Sequence, residues 1–265
     1  MTTATMAPTQ PWMTAAAALL AEIATTQADQ IETASQWSAD AIAADGLVHL
    51  FGTGHSRIPV EEMFPRYGSY PGFNPIVELS MTFHTQVVGA NGQRQAMFIE
   101  RTPGLAEVIL SNFPFGPRDV MVVFSAGGTT AVPVEVARGS RARGLRVIAV
   151  TSIRQSLSSE IDPVVGGRLL DEADLVIDLC TPPADALVEI AGLDTPVGPG
   201  STLAAVAIVN AIKVRTAELL TERGAMPPVL TRASVVGAER SRALFDAAYT
   251  EHASRVARAR LRDDR

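Results

Sequence analysis

The stretch Leu47-Val48-His49-Leu50-Phe51-Gly52-Thr53-Gly54-His55-Ser56-Arg57 decides how the chain is read. Its first five residues form an apolar run interrupted only by His49, the pattern of a parallel strand buried on both faces. In its last six, two glycines let the backbone bend sharply and come close to a ligand, while Ser56 and the unpaired N–H groups of a following helix can hold an anion. That helix, Ser56 to Tyr67, accepts Pro59 in its first turn and ends or kinks at Pro65. Strand, hydroxyl-bearing glycine turn and helix together predict a phosphorylated small molecule as ligand; the plainer reading is a tight turn that Ser56 merely caps.

The same unit recurs. Val120 to Phe124 is a second buried-strand run, followed by the turn Ser125-Ala126-Gly127-Gly128-Thr129-Thr130 and a helix from Val132 to Arg143 that stops at Gly144. Further strands are expected at Ile76 to Leu79, Arg146 to Val150 (ending in Thr151-Ser152) and Leu175 to Leu179. Strand, turn and helix at this spacing require crossover connections, hence a parallel sheet with helices on both faces. A third turn, Gly198-Pro199-Gly200-Ser201-Thr202, opens a long helix with Ser201 as its N-cap and Gly224 as its stop. Met13 to Ala44 has helical spacing and reads as one long N-terminal helix, with Gln27 its point of weakness; Glu239 to Arg262 reads as a C-terminal helix. No repeat or low-complexity linker divides the chain. The expectation is one domain over residues 1–265, with a helical arm 1–46, a core 47–224 and a C-terminal extension 225–265. In an open parallel sheet ligands bind beyond the carboxyl ends of the strands, where such turns converge.

With 265 residues, 47% of them hydrophobic, the chain can bury a substantial core, and its net charge of −6 argues against a nucleic-acid partner. No apolar run approaches a membrane span, the longest, Thr202 to Ile212, containing Asn210; the N-terminus lacks the basic flank of a signal segment, and a cytoplasmic location is expected. The single cysteine, Cys180, is expected to be a buried structural thiol, and with four scattered histidines it makes no spaced metal motif, so neither metal nor cofactor is expected. Lys213 is the only lysine, which confines any Schiff-base chemistry to that position. His49 reads as a satisfied core histidine and His252 as a surface residue.

Gly-Thr-Gly-His-Ser at 52–56, the strand and turn from Asp119 to Thr130, and Gly144-Leu-Arg-Val-Ile-Ala-Val-Thr-Ser152 resemble the SIS (sugar isomerase) domain proteins, which bind or isomerise phosphosugars. The resemblance covers about residues 47–224. With Glu61-Glu62-Met63-Phe64-Pro65-Arg66 and Gly198 to Thr202, the chain is most similar to a bacterial branch related to phosphoheptose isomerase. The resemblance implies an α/β fold, a three-layer αβα sandwich around a five-stranded parallel sheet, and a homodimer or homotetramer with sites near subunit interfaces. It implies phosphate contacts from Ser56 in the first turn and from Ser125 and Thr130 in the second; Gly54, Gly127, Gly128 and Thr129 of the same turns are expected beside them, with Thr151, Ser152, Ser201 and Thr202 as further substrate contacts. The chain departs from the usual Ser-x-Ser-Gly-x-Thr turn by placing Gly127 where the second serine stands, so backbone N–H groups or the Thr129 hydroxyl must substitute. It also departs at Pro183-Ala184-Asp185-Ala186, which carries no role over to Asp185.

Aldose–ketose isomerisation needs a base to move a proton between neighbouring carbons and an acid to open the ring. Glu62 is the expected base, with Glu61 beside it, and His55 and His84 are the candidate acids; Arg66, four residues after Glu62, would pair with it and lower its pKa, favouring structure over catalysis. The expected function is therefore a phosphosugar-binding protein, an aldose–ketose phosphosugar isomerase. The alternatives are a non-catalytic phosphosugar-sensing module and an etherase or lyase acting on an amino-sugar phosphate. A DNA-binding regulator is not expected from the 46 residues ahead of the first strand, and a dinucleotide fingerprint fails at Arg57, where it needs a third glycine.

Overall fold

The computed structural model describes residues 10–82 and 92–263. Five parallel strands, β1 (Val48–Gly52), β2 (Phe73–Ile76), β3 (Val120–Phe124), β4 (Arg146–Thr151) and β5 (Leu175–Asp178), form one sheet in the order β2-β1-β3-β4-β5. β1 lies between β2 and β3, with Val48 opposite both Phe73 and Val120. Alternation along each strand splits the core in two. Val120, Val122 and Phe124 of β3 and Ile148 and Val150 of β4 pack into one apolar layer; Met121, Val123, Val147 and Ala149 pack into the other. Helices α1 (Pro11–Thr26), α2 (Ala28–Ala43), α3 (Ile58–Met63) and α8 (Ser201–Glu222) cover the first face. Helices α5 (Leu105–Leu110) and α6 (Ala131–Ala142) cover the second, which also borders α4 (Gly92–Ile99). This is the expected three-layer α/β sandwich.

Three local expectations are corrected. The N-terminal region is two helices rather than one, because Gln27 leaves helical geometry (φ −111°) and turns its side-chain Oε1 to accept from Asp178 N at the end of β5 (2.9 Å). Strand β2 begins three residues before the expected Ile76 and contains Pro75; it is an edge strand, so the missing N–H leaves no ladder bond unmade. Between α7 (Ile153–Ser158) and α8 lies an unexpected antiparallel pair, β6 (Ala186–Val188) with β7 (Val197–Pro199).

After α9 (Ala233–Val236), the C-terminal helix α10 (Ala238–Asp263) folds back along one stripe of buried residues, Ser241, Ala248, Arg255 and Ala259. Arg255 Nη1 donates to the carbonyls of Ile42 (2.7 Å) and Gly46 (3.2 Å), placing a buried cation at the carboxyl end of α2. The docking also moves His252 off the surface: its ring meets Phe64 edge-on at 5.5 Å, and burial, aided by the Arg255 charge, pushes its pKa down. His49 is a core histidine as expected, with Nε2 3.0 Å from Asp119 Oδ2 and Nδ1 3.1 Å from the Asn74 amide. Cys180 is likewise buried, and burial pushes its thiol pKa up.

Candidate functional site

The strand order creates the site. The chain leaving β1 enters α3 on one face of the sheet, and the chain leaving β3 enters α6 on the other, so the loops beyond these neighbouring strands diverge and open a crevice at the switch in strand order. A narrow, solvent-open cleft lies there, bounded by the ends of β3 and β4 and by three loops. His55, Ser56 and Pro59 line it from the first turn, Ser125 and Ala126 from the second, and Ser201, Thr202 and Ala205 from the start of α8. Three turns far apart in sequence thus meet in one place.

Each turn has a physical reason for its residues. A Cβ on Gly52 would lie 2.2 Å from the backbone oxygen of Ser56, so only glycine lets the first turn fold back over the strand end, and Gly54 takes φ +54°. In the second turn, Gly128 N donates to Ser125 Oγ (3.2 Å), and a Cβ on Gly128 (φ +60°) would meet Thr151 Oγ1 at 2.8 Å. The N–H groups of Gly127, Thr129 and Thr130 have no acceptor among the described residues, which leaves an array of free donors ahead of α6. Thr130 occupies the N-cap position of α6 with no side-chain hydrogen bond. Thr151 and Ser152 are fully buried; their hydroxyls donate to the carbonyls of Ala126 (3.2 Å) and Thr181 (2.8 Å), so they brace the second turn and do not reach the cleft.

At the third turn the expected N-cap is replaced. Gly200 holds that position, and Asp185, in a left-handed conformation (φ +55°), supplies the acceptor: Oδ1 takes Ser201 N (2.8 Å) and Gly200 N (3.2 Å), and Oδ2 takes Ser201 Oγ (2.6 Å). Since the Ser201 hydroxyl proton is given to Asp185, its oxygen faces other groups as an acceptor. Asp185 is the residue that reading by motif missed; a carboxylate 16 positions ahead of the helix it caps leaves no local signature.

Glu62 is not in the cleft lining. Its carboxylate lies in the seam between α3 and α8, where it accepts from Arg66 Nη1 (2.5 Å) and Asn210 Nδ2 (3.3 Å) and sits 3.5 Å from Lys213 Nζ. Partial burial pushes its pKa up, but Lys213, Arg66 and Asn210 together outweigh that and hold the carboxyl below its usual range. Lys213 is buried; desolvation pushes its pKa down, and the Glu62 charge pulls partly against this. The structure therefore separates the expected base from the cleft residue Pro59 by about one helical turn along α3. Glu61 points to solvent and pairs with Arg57. His84 lies outside the described residues.

A second carboxyl adjoins the first turn. Thr53 Oγ1 donates to Glu100 Oε2 (2.5 Å), and burial pushes the Glu100 pKa up, with the Thr53 hydrogen bond opposing. A folded-state pKa raised this way adds stability at low pH that is lost as the group ionises. Glu100→Gln keeps an acceptor for Thr53 and removes the buried charge, so it should melt higher than wild type at pH 7.5, by at most about 1 kcal/mol. The gain should fade as pH falls toward 4. Thermal melts across that range check it, and a variant less stable at pH 7.5 would contradict it.

Among the described residues no group of His, Cys, Asp and Glu could hold a metal ion, and no helix is long and apolar enough to cross a membrane. An open doubly wound sheet with a cleft at its switch point, lined in part by serine and threonine side chains, places the chain among three-layer α/β proteins. The model of the SIS domain family matches residues 11–152, and the chain belongs to that family. It is 32% identical over 229 residues to a UPF0309 protein of Listeria monocytogenes, covering 86% of this chain and 90% of that one. A UPF0309 protein of Streptomyces griseus is 32% identical over 223 residues, covering 84% and 87%. Among solved structures, a phosphoheptose isomerase from Francisella tularensis shares the fold at 12% identity, with a TM-score of 0.50 over 77% of this chain and 94% of that one.

Proposed function

We propose that this protein binds a phosphorylated sugar, with the phosphate at the first two turns and sugar hydroxyls toward the start of α8. The observation that carries this reading is the meeting of Ser56, Ser125 and Ser201 in one cleft. Free N–H donors at Gly127, Thr129 and Thr130 suit an anion, whereas Ser201, its proton held by Asp185, suits a hydroxyl donor. Gly54, Ser56, Ser125, Gly127, Gly128, Thr129 and Thr130 form the phosphate side; Ser201 and Thr202 form the sugar side. A thermal-shift screen with pentose, hexose and heptose phosphates against their unphosphorylated sugars tests it. A rise in melting temperature confined to phosphorylated ligands is expected, and no rise with any of them removes the reading.

Aldose–ketose isomerisation is the second reading, favoured by Glu62, which follows the cleft residue Pro59 by three positions on α3 and is held ionised beside Lys213 and Asn210. Its lowered pKa weakens it as a proton acceptor, so a binding or sensing role accounts better for the geometry. Exchange of the sugar C2 proton in deuterated water separates the two: exchange abolished in Glu62→Gln supports isomerisation, and none in wild type leaves binding alone. The reading includes a cytoplasmic homodimer or homotetramer. The exposed Ile58 of α3 and Val214 of α8 support an assembly, and sedimentation equilibrium showing only monomer would remove it.

A further inference from the structure

Gly127 differs from the other glycines of the site. Gly52 and Gly128 cannot carry a side chain without collision, but a Cβ on Gly127 would make only ordinary contact, its nearest neighbour being Gln155 Nε2 at 3.7 Å, and its φ is not left-handed. Neither backbone conformation nor packing requires glycine there. The bare side of the turn faces the Gln155 carboxamide instead.

That carboxamide is unused by the fold. Gln155 Oε1 is buried with no hydrogen-bond partner, and Nε2 donates to no described residue. The main chain beneath it is firmly held: Gln155 N donates to Ser152 Oγ (3.2 Å), and its carbonyl accepts from Ser158 Oγ (2.9 Å), Ser159 Oγ (2.9 Å) and Ser159 N (3.1 Å). A side chain on so fixed a base, with its donor unspent, keeps its full hydrogen-bonding capacity for something outside the chain.

We propose that Gln155 is a ligand-binding residue, its Nε2 donating to an anionic oxygen seated over Gly127 beside the free N–H groups of the turn. This rests on the phosphosugar reading and deepens it: a donor reaching in from α7 does the work that a hydroxyl at position 127 would do. The side chain absent at 127 leaves the room that the anion occupies.

Inorganic phosphate is the probe, titrated against the whole chain and followed by phosphorus NMR. Gln155→Met, which keeps length and removes the donor, should weaken phosphate binding about tenfold, the scale of one hydrogen bond to a charged group. Gln155→Glu should weaken it further. Melting temperatures identify any variant that fails to fold, in which case Gln155→Ala takes its place. Binding by Gln155→Met within twofold of wild type, with wild type binding phosphate, overturns the role of Gln155 alone. A wild type that binds neither phosphate nor any sugar phosphate overturns the phosphosugar reading and this role together.

Discussion

Gly52→Ala is expected to abolish phosphosugar binding and to cost about 3 kcal/mol of stability. The added methyl would lie 2.2 Å from Ser56 O and 2.7 Å from the Ser56 carbonyl carbon, both backbone atoms that no side-chain rotation can move aside. The turn must unfold outward, carrying Ser56 away from Ser125 and taking Pro59, the first contact of α3, out of register. Gly127→Ala is the matched control for stability: with 3.7 Å to its nearest neighbour it should leave the melting temperature nearly unchanged. Calorimetric melting of both variants, with and without a sugar phosphate, checks the pair. A Gly52→Ala protein that still shifts with ligand would show that the first turn is not the phosphate seat.

The second large effect lies at the opposite end of the sheet. Asp119 is buried, and its carboxylate accepts from Leu47 N (2.8 Å), Gly116 N (2.7 Å) and His49 Nε2 (3.0 Å). One side chain thereby ties the entry of β1 to the entry of β3, the two strands whose other ends form the cleft. Asp119→Ala strands two backbone donors and a ring nitrogen in the core, and about 3 to 5 kcal/mol should be lost. Asp119→Asn keeps one acceptor oxygen and should cost less. Urea unfolding of the three proteins measures this directly. A loss under about 1 kcal/mol for alanine would mean that the surrounding chain relaxes to satisfy the orphaned groups.

Strands β1, β3 and β4 were legible because each is buried on both faces and so reads as a continuous apolar run; β5, an edge strand with only Ile177 buried, also lies where its apolar run lies. The β2 edge was misplaced because Asn74-Pro75 looks like a break, and only its position at the sheet edge makes proline acceptable. The β6–β7 pair, three residues per strand and none of them buried, has too short a pattern to read. In the site, glycine and hydroxyl turns announced themselves through backbone demands that are local. Of the partners that set the character of Glu62, Arg66 was legible at four positions' spacing, but Asn210 and Lys213 lie 148 and 151 residues away, and no spacing rule spans that distance. Asp185 and Gln155 act from outside the turns they complete, so their side chains acquire meaning only once the loops are brought together.

Lys213 gives the molecule an internal reporter. It is the only lysine in the chain, it sits in the middle of α8 with its ammonium 2.8 Å from the Glu62 carbonyl, and it is 6% exposed. A protease that cuts solely after lysine therefore has one scissile bond, closed off in the native state. Its cleavage rate reads the opening of α8 from the sheet, the same helix whose first turn lines the cleft. Ligand that braces that first turn slows the cut, and the two fragments, of unequal length, resolve on a gel without any label.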